Sequence, residues 1–191
     1  MKNAEDTILA RIKEHQGVIE LLAGAQADIN AIAQTFIKSL RGGGKILLCG
    51  NGGSAADAQH VAAELVGQFK LKRDAWPAIA MVTNSSVVSA IGNDFGFEHV
   101  FARQVEALAK KGDVVVGIST SGNSVNVIRA IEEGKKRECA TIGVTGKSGG
   151  TLRPLVDNGF CVPSDDTARI QEAHILMWHI VCELVEQELS K

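Results

Sequence analysis

Val114-Val115-Val116-Gly117-Ile118-Ser119-Thr120-Ser121-Gly122-Asn123-Ser124 is an apolar run that ends in a hydroxyl-rich turn, and Val125-Asn126-Val127-Ile128-Arg129-Ala130-Ile131 after it is helix-like. The stretch reads as strand, turn and helix, the unit from which parallel sheets are built. The first backbone N–H groups of a helix lack intrahelical partners and lie at the positive end of its dipole, so such a turn suits an anion. Ser119, Thr120, Ser121 and Ser124 add hydroxyl donors, and Gly122 lets the chain turn tightly. An ordinary serine N-cap is the plainer alternative. Four hydroxyls among the six residues from Ser119 to Ser124 favour a phosphate.

Working outward, four more apolar runs have strand character: Lys45–Cys49, Ala78–Val82, Thr141–Val144 and Phe160–Val162. Helix-like segments lie at about 54–67, 98–110, 123–136 and 166–189. This alternation predicts an α/β fold, a doubly wound five-stranded parallel sheet flanked by helices, with ligands beyond the carboxyl ends of the strands. Two amphipathic helices at about 3–22 and 26–40 precede it, and Arg41-Gly42-Gly43-Gly44 closes the second. The first has few apolar partners in its own hairpin, so its stripe is expected to pack against another subunit. Residues 1–191 read as one domain, with the N-terminal helical extension used in oligomer packing.

With 45% hydrophobic residues the chain can bury a sizeable core, and its net charge of −2 is spread through the sequence. No basic footprint for nucleic acid or for a membrane surface is present, and no apolar run reaches the roughly 18 residues that span a bilayer. Cys49, Cys139, Cys161 and Cys182 are scattered in apolar surroundings without a C-x-x-C pair, which predicts reduced core cysteines in a cytoplasmic protein.

Gly50-Asn51-Gly52-Gly53-Ser54-Ala55 follows the first strand and opens a helix, as a dinucleotide fingerprint would. A nicotinamide cofactor also wants an acidic residue at the end of the second strand, where this chain has Thr83-Asn84-Ser85-Ser86. The glycines better serve to bring backbone N–H groups, the Asn51 amide and the Ser54 hydroxyl against a polar ligand, or simply to form a tight turn. In the next helix His60 and Glu64 stand four apart on one face, either as an exposed pair or as joint zinc ligands. The last helix carries Gln171, Glu172, His174 and His179. Gln171 and His179 lie about 80° apart around the axis and can border one groove, while His174 faces elsewhere.

Taken together, Cys49-Gly-Asn-Gly-Gly-Ser-Ala-Ala-Asp-Ala-Gln-His60, Ala90-Ile-Gly-Asn-Asp-Phe-Gly-Phe97, Gly117-Ile-Ser-Thr-Ser-Gly-Asn-Ser124 and Asp165-Asp-Thr-Ala-Arg-Ile-Gln-Glu-Ala-His174 resemble the phosphoheptose isomerases, enzymes of a single sugar-isomerase (SIS) domain. The resemblance spans nearly the whole chain. It implies interconversion of sedoheptulose 7-phosphate and D-glycero-D-manno-heptose 7-phosphate, the first step of ADP-heptose synthesis for the lipopolysaccharide core. It further implies a homotetramer with sites between subunits and one zinc ion per subunit, labile because a glutamine is a weak ligand.

Carried over by motif, Ser119, Thr120, Ser121 and Ser124 would hold the phosphate, and Asn51, Gly52, Gly53, Ser54, Asn93 and Asp94 would line the sugar. His60, Glu64, Gln171 and His179 would be metal ligands, with Glu64 and Gln171 also against substrate. Glu64 and His179 would form the acid/base pair. Two positions depart from the family pattern: Gln68 where arginine is usual and Asn84 where aspartate is common. A second reading on the same fold is a non-catalytic paralogue that binds the replication initiator protein. It lacks counterparts of Glu64 and His179, both present here. A phosphosugar-sensing regulator would append a further domain for which 191 residues leave no room.

Overall fold

The computed structural model describes residues 3–190. Helices α1 (Ala4–Leu21) and α2 (Gln26–Arg41) lead into β1 (Ile46–Gly50), α3 (Gly53–Val66), β2 (Ala78–Ala80), α4 (Ser85–Phe95), α5 (Ala102–Leu108), β3 (Val114–Ser119), α6 (Val125–Lys136), β4 (Ala140–Gly146), β5 (Asn158–Val162) and α7 (Thr167–Leu189). All strand pairings are parallel and the order is β2-β1-β3-β4-β5. The five strands are those expected from the apolar runs.

Because side chains alternate across a strand, each central strand feeds two cores. Ile46, Leu48, Val114, Val116, Ile142 and Val144 pack under α2, α3 and α7. Leu47, Cys49 and Val115 pack on the other face with Val105 of α5 and Val127, Ala130 and Ile131 of α6. The sheet is thus covered on both faces, which is why its strands read as continuous apolar runs.

The order in which strands are added reverses between β1 and β3, which run parallel with Cys49 paired to Gly117 and Gly50 to Ile118. At such a switch point the turns after the two strands diverge to opposite faces and open a crevice at their carboxyl ends. The turns that follow are Asn51–Gly53 and Thr120–Ser124.

Three details differ from the sequence expectation. Helix α4 was not anticipated, because Ser85, Ser86 and Ser89 with Gly92 and Asn93 are poor helix formers. It is started by Asn84, whose Oδ1 accepts the Val87 N–H at 3.1 Å. The segment expected as one helix at 98–110 is divided into a 3-10 turn at Phe97–His99 and the short α5. Strand β2 ends at Ala80, two residues early.

Helix α1 buries none of its residues, and Ile8, Leu9 and Ile12 are exposed. It meets α7 through polar groups: His15 Nδ1 lies 2.7 Å from Glu172 Oε2, and Arg169 Nη1 donates to the Arg11 carbonyl at 3.2 Å. Among the described residues no helix is long and apolar enough to cross a membrane.

Candidate active site

The glycine turn begins where β1 ends. Gly52 has φ +55° and starts α3 without a capping side chain. A Cβ at Gly53 would overlap the Gln171 carboxamide, so this glycine lets α7 bring Gln171 against the turn. Ser54 is buried, its N–H donating to the Asn51 carbonyl at 3.0 Å.

The serine turn lies across the crevice. Ser119 is 3% exposed, and its Oγ lies 2.9 Å from Ser124 Oγ and 3.5 Å from Ser121 Oγ. Ser124 occupies the N-cap of α6 but caps no backbone N–H with its side chain. Its hydroxyl is turned to Ser119 instead, unlike the plain serine cap that was the alternative reading. Gly122 has φ +67°, and a Cβ there would overlap the Gly149 carbonyl. The loop after β4 braces the turn: Leu152 N–H donates to the Gly122 carbonyl at 2.9 Å, and the Thr151 N–H and hydroxyl donate to Asn123 Oδ1 at 3.0 Å.

Asn126, absent from the expected site residues, joins the two turns. Its carboxamide and that of Asn51 each donate to the other at 2.9 Å, and Asn126 is 4% exposed. The pair fixes the turn that would meet the sugar relative to the helix that would meet the phosphate.

The third part is made by α3 and α7. His60 Nε2 lies 3.0 Å from His179 Nε2 and 3.4 Å from Glu64 Oε1. The two imidazoles meet edge to face, and Phe69 stacks on His179 with ring centroids 5.6 Å apart. His174 does face elsewhere: it is fully buried beside Phe160, its Nε2 lying 2.9 Å from the Thr145 carbonyl oxygen. Burial brings its imidazole down to about 4, so it is neutral at ordinary pH.

Asp57, one turn before His60 and not anticipated, has a buried Oδ2 without a hydrogen-bond partner. Burial pushes its carboxyl up to about 6, against the opposing pull of His60. The Cys182 thiol is pushed up to about 12 by burial and by the neighbouring Glu64 and Glu186 carboxylates, and burial drives Cys49 higher still. Neither serves as a thiolate nucleophile. All four cysteines are free thiols; Cys49, Cys139 and Cys182 lie in the core as expected, whereas Cys161, on the edge strand β5, is only half-buried.

Among the described residues Asn93 and Asp94 form no side-chain hydrogen bond with the two turns, His60, Glu64 or His179. They sit on α4, where Asn93 Nδ2 donates to Asp94 Oδ1 at 2.7 Å. Asp94 lines a cavity of about 430 Å³ with Thr83, Asn84 and Arg103, and no residue of the two turns, α3 or α7 contributes to it.

Two imidazoles, a carboxylate and a carboxamide are a donor set suited to zinc. Donor atoms on a tetrahedral ion at about 2.0 Å stand about 3.3 Å apart, and the separations of 3.0 and 3.4 Å around His60 Nε2 bracket that edge. A closed set of three His, Cys, Asp or Glu ligands is not assembled among the described residues. The fit therefore rests on the His60 edges and the chemistry of the donors.

Residues 12–146 match the model of the SIS domain family. The chain is 55% identical over 185 residues to a phosphoheptose isomerase of Geobacter sulfurreducens, covering 96% of this chain and 98% of that one. It is 50% identical over 191 residues to a phosphoheptose isomerase of Aliarcobacter butzleri, covering both chains in full. The solved phosphoheptose isomerase of Neisseria gonorrhoeae superposes with a TM-score of 0.89 at 42% identity, over 97% of this chain and all of the other. That of Francisella tularensis gives 0.94 at 36% identity with the same coverage. With this fold, these two turns at the sheet's switch point and this identity over nearly its full length, the chain belongs to the phosphoheptose isomerase family of SIS-domain proteins.

Proposed function

We propose that the protein is an aldose–ketose isomerase that interconverts sedoheptulose 7-phosphate and D-glycero-D-manno-heptose 7-phosphate. The observation that carries the reading is the meeting of His60 and His179 across α3 and α7, with Glu64 one turn from His60. The non-catalytic reading on the same fold loses its ground, since Glu64 and His179 are both present and brought together through His60.

The phosphate is assigned to the hydroxyls of Ser119, Thr120, Ser121 and Ser124 and to the first N–H groups of α6. Asn51, Gly52, Gly53 and Ser54 face the sugar. Anchoring the phosphate at C7 fixes the far end of the chain and lowers the entropic part of the barrier at C1 and C2. From the ketose, Glu64 takes a proton from C1 and its electron pair forms the C1–C2 double bond while the C2 oxygen gains a proton. The enediol then loses the O1 proton and gains one at C2, giving the aldose. His179 is assigned the proton shuttle at the oxygens.

His60, Glu64, Gln171 and His179 are the residues that would hold a zinc ion, one per subunit. When bound, zinc supplies Lewis-acid polarisation of the carbonyl and of the enediol oxygens.

The exposed Ile8, Leu9 and Ile12 of α1 support assembly as a homotetramer, which would cover a stripe this chain leaves in water. The reading places the enzyme in the cytoplasm, at the start of ADP-heptose synthesis.

The test is incubation of the purified protein with sedoheptulose 7-phosphate, following the aldose product, with and without added zinc. Turnover in the wild type and its loss in Glu64→Gln are expected. Absence of turnover under both conditions overturns the isomerase reading, and turnover retained in Glu64→Gln overturns the role given to that carboxylate.

A further inference from the structure

Glu186 is an acidic residue near the end of α7, yet it is only 1% exposed. Its two oxygens accept four hydrogen bonds. Phe69 N–H donates to Oε1 at 2.8 Å, and Lys70 and Leu71 N–H donate to Oε2 at 2.8 and 2.9 Å. Arg73 Nε completes the set on Oε1 at 3.0 Å. Against the upward pull of burial, the three backbone N–H groups and Arg73 hold this carboxyl below its usual value.

Arg73 carries the same knot to α3. Its Nη2 donates to the Glu64 carbonyl at 2.7 Å, and its Nη1 donates to the carbonyls of Leu65 at 2.9 Å and Gly67 at 3.3 Å. The guanidinium lies on the Trp76 ring, 3.6 Å from its centroid. The last turn of α3 has no basic residue of its own, so Arg73 supplies from outside the cation that a helix C-terminus favours.

The two arms end on the two residues assigned to proton transfer. One runs from Glu186 through the backbone of residues 69–71 to the Phe69 ring, which stacks on His179 at 24° between planes. The other runs from Glu186 through Arg73 to the backbone of Glu64. His179 and Glu186 are seven positions apart, close to two helical turns, and so share one side of α7.

We infer that Glu186, Arg73 and Phe69 are positioning residues that set the His179 ring and the Glu64 backbone relative to one another. This rests on the isomerase reading for its consequence in turnover, but the positioning itself is a statement about the His179 ring. An imidazole that must move protons needs its ring plane and its distance to the carboxylate fixed, and a shift of about 1 Å in such a group costs up to about a hundredfold in rate. Phe69 blocks rotation of the ring on one side, and its own place is set by the N–H bond to Glu186. The serine turn lies outside the knot, so loosening the knot leaves phosphate binding in place.

The test combines kinetics with the His179 ring signals in 1H–13C NMR spectra. Phe69→Leu keeps the backbone bond to Glu186 and removes the stacking ring. It is expected to lower kcat about tenfold, with KM for sedoheptulose 7-phosphate held within about twofold. Phe69→Tyr, which keeps the ring, is expected to restore kcat. Glu186→Gln keeps the Phe69 ring but removes acceptor capacity beneath it, and is expected to move the His179 ring signals downfield as the stacked ring drifts away.

Unmoved ring signals in folded Glu186→Gln, or full kcat in Phe69→Leu, overturn the inference. If Glu186→Gln does not fold, the two Phe69 variants decide. Were the wild type to lack turnover, the isomerase reading would fall, while the ring signals would still decide the positioning.

Discussion

Asn51 and Asn126 exchange hydrogen bonds through both carboxamides, each Nδ2 donating to the other's Oδ1 at 2.9 Å. Among the described residues this is the one side-chain hydrogen-bonded link between the glycine turn after β1 and the helix that the serine turn opens. Asn126→Leu removes one partner and leaves the Asn51 amide unpaired. A loss of about 1–3 kcal/mol in unfolding free energy is expected from denaturant titration, with a raised KM for the sugar phosphate.

Gly53→Ala separates activity from stability. The added methyl displaces the flexible end of Gln171, while Gly53 opens α3 without a left-handed backbone that alanine would strain. The thermal midpoint is expected to stay or rise, and kcat to fall at least about tenfold as Gln171 swings out. Melting curves and steady-state kinetics on the same preparation check both halves.

Ser119→Ala removes a buried hydroxyl that binds Ser124 and is assigned to the phosphate. One hydrogen bond of this kind is worth about 0.5–1.5 kcal/mol, so KM is expected to rise about three- to tenfold. Because the bond is made equally in ground and transition states, kcat stays within about twofold. A fall in kcat at constant KM would contradict the phosphate assignment.

His174 gives the fold an acid limb. Burial holds its folded-state imidazole at about 4, against an ordinary value of 6.5. Between those values the unfolded chain binds a proton that the folded chain refuses, so stability falls as pH drops from 6.5 toward 4, by on the order of 3 kcal/mol. Asp57, raised to about 6, acts with the opposite sign, since its folded carboxyl takes a proton before the unfolded one does. Comparing His174→Gln with the wild type across pH 4–7 cancels the Asp57 contribution. The variant is expected to lose the acid limb.

Much of this arrangement is legible in the residues themselves. The five apolar runs and the glycine and hydroxyl turns after the first and third strands specify the parallel sheet and its crevice, and the four-residue spacing of His60 and Glu64 places them on one helix face. Helix α4 escaped because its serines and glycine hide the spacing of Val87, Val88 and Ile91, although Asn84 before them is a readable cap. Asn126 looks like one more polar residue at a helix start, and only the approach of β1 to β3 supplies its partner. Glu186 stands among Glu183 and Glu188, and Arg73 among Lys70 and Lys72. A sequence cannot say which charge of such a run is taken into the interior, because that is decided when the loop after α3 folds over α7. Asn93 and Asp94 were named by resemblance alone, and within one chain the hydrogen bond between them is on α4.

Helix α7 carries Gln171, His179 and Glu186 on a single rod, about 22 Å from first to last. Their common support turns the chemistry into a question of one angle. A roll of α7 by about 20° about its axis would sweep the His179 ring through about 2 Å without breaking a bond within the helix. Such a roll is resisted by the stacking of Trp178 on Phe36 and by the bond between His174 and the Thr145 carbonyl, the latter beside Ser119 in the sheet register. A change at Phe36 that keeps the core filled is therefore expected to lower turnover while the circular dichroism remains that of the wild type.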